Sequence, residues 1–268
     1  MKKTIITTAL ISAIVMAGCT SNVPVSNPTT EAETTTSAPE VTETTATSGP
    51  VEEVAYGTYS NEGEASDSLI RVTLTVEDGK VTSAVFDDML IPVANGGAAG
   101  IAELDDETKT ALGDMVIEAN DKAYPTSMKI GDYVFTAKAD EKTGVAYTAE
   151  IDGKETELMT YIVTKEGGDW YCSQDKAEFL DKDGNIFGEA KIQTKKDINH
   201  GEDFWPSDLH FNGNIEALEK FVVENGLDYD LSQMVQNDEH VWVVADAVTG
   251  ATLAGAPNYL RIAQEAAK

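Results

Sequence analysis

The sequence predicts an α+β fold in which antiparallel hairpins pack against a few helices. Two observations carry that expectation. Period-two apolar runs flank short Asp/Gly turns, above all at Asp78-Gly79, and apolar stripes at helical spacing occupy 103–123, 215–225 and the last dozen residues.

The chain begins with Lys2 and Lys3 before an apolar run from Thr4 to Ala17, a charged n-region and an h-region too short to span a bilayer. Residues 1–18 are therefore read as a signal peptide. Their end, Val15-Met16-Ala17-Gly18-Cys19, resembles the bacterial lipobox, with Met16 where leucine is usual. That resemblance implies a lipidated Cys19 and a mature protein held at the extracytoplasmic face of a bacterial membrane without crossing it. From Thr20 to about Glu53, Thr, Ser, Pro, Ala and Glu dominate, and almost no large apolar side chain is present to offset the entropy of ordering. Residues 19–53 read as a lipidated cysteine followed by a disordered tether, and 54–268 as the folded region.

Composition narrows the function classes. Nineteen basic against 47 acidic residues give a formal charge of −28, and loss of Lys2 and Lys3 with the signal peptide makes it more negative still. Such a field repels nucleic acid and anionic lipid heads and suits a basic redox partner or plain solubility. The two cysteines are Cys19 and Cys172, so with Cys19 lipidated no intrachain disulfide forms. No Cys/His spacing suits c-type haem, an iron–sulfur cluster or structural zinc, so any electron carried here rests on an organic cofactor.

Within the folded region, Ile70, Val72, Leu74 and Val76 alternate with Leu69, Arg71, Thr73 and Thr75, and Asp78-Gly79 turns the chain into Lys80–Phe86. Glu103–Ala123 reads as an amphipathic helix. Strands are expected at Tyr133–Ala137, Val145–Ala149 and Leu158–Val163, and a hairpin around Asp183-Gly184-Asn185 between Ala177–Leu180 and Ile186–Ile192. Asp181–Asn185 has some calcium-loop character but lacks the loop glycine and the twelfth-position ligand, so it is read as a turn. Ile215–Asn225 is a helix stopped by Gly226, Val241–Ala245 a strand, and the run after Pro257 a closing helix with Tyr259, Leu260, Ile262, Ala263 and Ala266 as its stripe.

Between that last strand and that last helix lies Asp246-Ala247-Val248-Thr249-Gly250-Ala251-Thr252. It resembles the attachment motif of covalently flavinylated FMN-binding domains, in which the final threonine carries FMN through a phosphoester bond; Asp246, Thr249, Gly250, Ala251 and Thr252 match. Tyr56-Gly57-Thr58-Tyr59 and the Asp78-Gly79 hairpin resemble the opening of the same family. The family resemblance implies an FMN-binding-domain-like fold, a separate flavin transferase that delivers the FMN moiety from FAD, and a membrane redox partner. The middle of the chain exceeds the minimal family domain, and is either an insertion or a degenerate second copy with halves at about 54–165 and 166–268. Asp140-Glu141-Lys142-Thr143-Gly144-Val145-Ala146 has the motif's outline but Ala146 in place of the acceptor threonine.

The chemistry follows from residue types. Phosphodiester formation needs an accessible hydroxyl, which Thr252 offers, and small neighbours such as Gly250 and Ala251 let a phosphate approach the backbone. Asp246 either holds the turn by side-chain hydrogen bonds or helps a magnesium-dependent transferase, and Thr249 bonds within the turn. Trp205, Trp242 and Tyr259 are the candidate aromatic walls for an isoalloxazine ring. His200, His210 and His240 occur in unrelated contexts with no nucleophile or metal pattern, so no catalytic or metal residue is assigned, and an electron carrier is favoured over a catalyst. The alternative is a lipid-anchored surface binding module or antigen with the same fold and no covalent flavin.

Overall fold

A computed structural model describes residues 49–59, 68–92, 110, 112–119, 122–140, 144–198, 209–245 and 247–268. All lie in one unit, Ala46–Lys268. The signal peptide, Cys19, most of the tether, Trp205, His200 and Asp246 fall outside the described residues.

The fold is α+β, with every paired strand antiparallel, and its hydrophobic residues form two cores. A three-stranded sheet opens it: β1 (Val51–Gly57), β2 (Ser68–Glu77) and β3 (Lys80–Leu90), in that spatial order. β1 starts at Val51, slightly before the expected boundary of the folded region. The β2–β3 turn has Asp78 at φ 50° and Gly79 at φ 75°, the left-handed pair that matches strand twist in a two-residue hairpin, and Glu77 pairs with Lys80 across it. Ile70, Val72 and Leu74 are buried in one core while Leu69, on the opposite face, is buried in the other, so the alternation serves two packing partners rather than one core and water.

The core against Ile70, Val72 and Leu74 is closed by two helices, α3 (His210–Asn225) and α4 (Ala256–Ala266). Phe211, Ile215, Leu218, Phe221 and Val222 make the buried stripe of α3, and the stripe expected for the closing helix is buried as well. Pro257 occupies the first turn of α4, where a missing N–H costs nothing.

The middle of the chain supplies the other core. Here β4 (Val116–Ala119) pairs with β5 (Lys122–Pro125), and six strands, β6 (Ser127–Ile130), β7 (Tyr133–Asp140), β8 (Gly144–Ile151), β9 (Lys154–Glu157), β10 (Lys176–Leu180) and β11 (Ile186–Lys191), form a sheet in the order β11-β10-β6-β7-β8-β9. Two short helices, α1 (Leu158–Ile162) and α2 (Lys165–Cys172), join β9 to β10. Asp140 and Gly144 pair with each other, so the segment that shares the motif's outline lies at the end of the β7–β8 hairpin, with no helix after it.

Two expected elements differ. The helix expected over 103–123 does not hold at its end, where a 3-10 turn at Gly113–Met115 leads into the β4–β5 pair; 103–109 and 111 lie outside the described residues. Gly113 takes φ 46°, which breaks helical continuation, and β-branched Val116 and Ile117 then pair with Pro125 and Tyr124. The strand expected at Leu158–Val163 is α1: Leu158 and Ile162, four apart, are both buried on one side of it. Short apolar runs fit either period, and packing decides between them. α2 carried no apolar signal because Gly167 and Gly168 open it. Both glycines pack tightly, since a Cβ on Gly168 would lie 2.4 Å from the Tyr56 ring, and Thr164 caps the helix by accepting from Gly167 N–H at 3.0 Å.

Candidate functional site

The motif hangs between β13 (Trp242–Val244) and α4. β13 pairs with β12 (Met234–Gln236) on one side and with β14 (Ala247–Val248) on the other, with Val244 opposite Ala247 around a turn that places Ala245 at φ 51°. Thr249 then folds the chain back onto Trp242. Its N–H and hydroxyl both donate to Trp242 O, at 2.9 and 2.8 Å, and its Oγ1 accepts from Ala251 N–H at 3.1 Å. Trp242 N–H donates to Ala251 O at 2.9 Å, and its indole N–H donates to Leu253 O at 2.8 Å. Thr249 is buried and its hydroxyl is consumed inside the turn, as expected for a side chain that replaces missing backbone pairing.

Gly250 adopts φ 79°, a conformation that costs any L side chain, and it lies over Ala217 of α3. This reversal drives Ala251 into the core, where it is fully buried, and leaves Thr252 half-buried at the rim. Of the motif's two threonines, Thr252 is the more exposed.

One residue absent from the sequence-based site organises this rim. Asn214 on α3 is fully buried, and its Oδ1 accepts from Thr252 N–H at 2.6 Å, Leu253 N–H at 2.9 Å and the Thr252 hydroxyl at 3.2 Å. Its Nδ2 donates to His210 O at 2.5 Å, which fixes the amide orientation. The signal for it in the sequence was a polar residue on the apolar stripe, one position before Ile215 and three after Phe211. A buried amide at such a position must find partners.

The candidate ring walls separate. Tyr259 is fully buried, stacks on Phe86 with centroids 6.0 Å apart, and shares a 2.9 Å hydroxyl contact with Tyr59. It is a core residue and presents no face to a ligand, which corrects its place among the candidates. Burial, with Asp88 and Tyr59 adding to it, raises its hydroxyl well above the usual phenol range. Trp242 is half-buried beside the turn and keeps its candidacy.

A cleft of about 710 Å³ lies next to the β13–β14 hairpin, lined among others by Phe221, Tyr229, Asp228, Asp230, Val244 and Ala247. Its volume suits a planar tricyclic ring. Its two aspartates suit a neutral ring better than a phosphate. Of the described motif residues only Ala247 lines this cleft; Thr252, Gly250 and Ala251 do not, and neither does Trp242.

Two other groups singled out in the sequence resolve as structural. Asp181 accepts from Asp183 N–H at 2.9 Å, Asn185 N–H at 2.8 Å and Asn185 Nδ2 at 3.0 Å, so its carboxylate closes the β10–β11 turn and is held below its usual range by those bonds. Cys172 is half-buried and free, and burial pushes its thiol up to about 11, which makes it a poor nucleophile.

No protein-family model, curated protein or solved structure matches the chain.

Proposed function

We propose that the protein is a lipid-anchored, extracytoplasmic flavoprotein that carries FMN through a phosphoester bond at Thr252 and relays electrons to or from a membrane redox partner. The observation that carries this reading is the contrast within the motif. Thr249 spends its hydroxyl inside the turn, whereas Thr252 stands at the rim with its hydroxyl held by Asn214.

Attachment joins Thr252 Oγ1 to the FMN phosphorus of FAD, breaks the pyrophosphate bond and releases AMP, and the hydroxyl proton passes to the flavin transferase or to solvent. Asn214 keeps the rim in one conformation while this happens. Exposed Gly250 leaves the backbone on one side of the turn open to an approaching phosphate, while Ala251 is buried in the core and anchors the turn. Bound FMN supplies one- and two-electron redox chemistry, and the protein sets its exposure and surroundings. A covalent bond suits a protein outside the cell, because occupancy by a dissociable cofactor follows its free concentration and falls on dilution. The strongly acidic surface favours a basic partner.

Co-production with a flavin transferase tests the reading. The wild-type chain is expected to turn yellow and gain the mass of one FMN less water, and Thr252→Ala to do neither. Flavin retained without an adduct, or no flavin at all, favours the surface binding module instead.

A further inference from the structure

A short strap, Gln193–Lys196, leaves the six-stranded sheet and runs antiparallel to the end of β3. Leu90 N–H donates to Gln193 O at 2.9 Å, Lys195 N–H donates to Asp88 O at 2.8 Å, and Met89 bridges Thr194. Lys195 turns its ammonium inward to 3.1 Å from Asp88 Oδ2, with the two side chains 7% and 0% exposed. Asp88 Oδ2 also accepts the Tyr59 hydroxyl at 2.5 Å and the Ser68 hydroxyl at 3.2 Å. The Lys195 ammonium sits 5.1 Å from the centroid of the Tyr59 ring. On its far side Tyr59 closes on α4: its hydroxyl meets Tyr259, and a Cβ on Gly255 would lie 2.3 Å from Tyr59 Cε1. Gly255 is the residue before α4, and it follows Thr252 by three positions.

Desolvating two charges offsets most of their attraction, so such a pair contributes little net stability while making the loss of either partner costly. Its use lies in what it joins. One end is the strap from the six-stranded sheet. The other is the start of the helix that follows the acceptor turn.

We infer that Lys195, Asp88 and Tyr59 are positioning residues for the Thr252 turn. The seated strap fixes Tyr59 against Gly255, and Tyr59 fixes the start of α4 and the Thr252–Gly255 segment that leads into it. The inference takes its functional meaning from the reading of Thr252 as the acceptor. The mechanical coupling rests on contacts within this chain alone.

Hydrogen exchange on the full chain without flavin tests it. Lys195→Met leaves Asp88 as a buried carboxylate without its cation, and the amides of Leu253, Ala256 and Asn258 are expected to exchange roughly ten-fold faster while those of Leu218–Val222 stay protected. Adding Asp88→Asn should restore protection, because the amide still accepts from Tyr59 and Ser68 and carries no charge. If Lys195 merely filled space, the double variant would exchange as fast as the single one. Should Lys195→Met fail to fold, Tyr59→Phe removes only the hydroxyl and should loosen the same three amides. Unchanged exchange at those amides in either variant, or no restoration in the double variant, overturns the coupling. A chain that never takes FMN leaves these outcomes intact, so the two readings fail separately.

Discussion

Asn214 on α3 holds Thr252 directly: a single amide oxygen accepts the Thr252 N–H at 2.6 Å and its hydroxyl at 3.2 Å, across 38 residues of sequence. The Thr252 turn is therefore a tertiary feature. Its conformation depends on α3, which no short stretch around the motif contains.

Asn214→Ala should leave the N–H groups of Thr252 and Leu253 without their acceptor. Buried donors left unpaired cost about 1–3 kcal/mol each, so a loss of roughly 2–4 kcal/mol is expected after partial hydration of the rim. Urea unfolding followed by circular dichroism measures it.

The two motif threonines should respond in opposite ways. Thr249→Val removes two hydrogen bonds from a buried position and is expected to cost about 1–3 kcal/mol, while the Thr252 hydroxyl remains available for flavin. Thr252→Val removes the hydroxyl that donates to Asn214 Oδ1 at 3.2 Å from a half-buried position, should cost about 1 kcal/mol, and should abolish flavin incorporation. Paired thermal melts and visible spectra separate the two roles.

Gly250→Ala places a side chain at φ 79°. The left-handed backbone should cost about 1–2 kcal/mol, while the added Cβ would meet Ala217 Cβ at 3.4 Å, an ordinary contact, so the backbone carries the effect. A melt of the unmodified variant beside wild type gives the value.

Asp87 gives the pH dependence a definite sign. Burial lifts its carboxyl to about 6, against hydrogen bonds from Asp88 N–H and Lys196 N–H that pull it down. A carboxyl with its folded pKa above its unfolded value binds its proton more tightly in the folded state. Its stabilising contribution is therefore present below about pH 4 and lost as pH rises to about 6. Asp87→Asn keeps the acceptor oxygen and removes the titration. The melting temperature of wild type relative to this variant should fall between pH 4 and pH 6, and a flat difference would contradict the assignment.

The hairpins were legible in the sequence because their turns have local causes, Asp78-Gly79 at positive φ in one and the Asp181 carboxylate with Gly184 in the other, and because alternation marks buried faces whichever core they meet. α3 and α4 were legible from their stripes. The 158–163 run was not, since a few apolar residues satisfy both periods and the choice falls to burial of Leu158 and Ile162. The end of the 103–123 stripe, from Gly113 on, was misread because Gly113 and the Ile117–Tyr124 pairing outweigh helical spacing. In the site, the motif itself is contiguous and readable. Asn214, Lys195 and Asp88 act through distant packing, and only a polar residue on an apolar stripe hinted at the first of them.

The most direct measurement is tandem mass spectrometry of proteolytic peptides from the full chain co-produced with a flavin transferase and FAD. The account predicts one modified peptide, carrying FMN less water on Thr252, with Thr249 unmodified and no adduct in Thr252→Ala. FMN on another residue, or an unmodified Thr252 peptide from an active transferase, would contradict it.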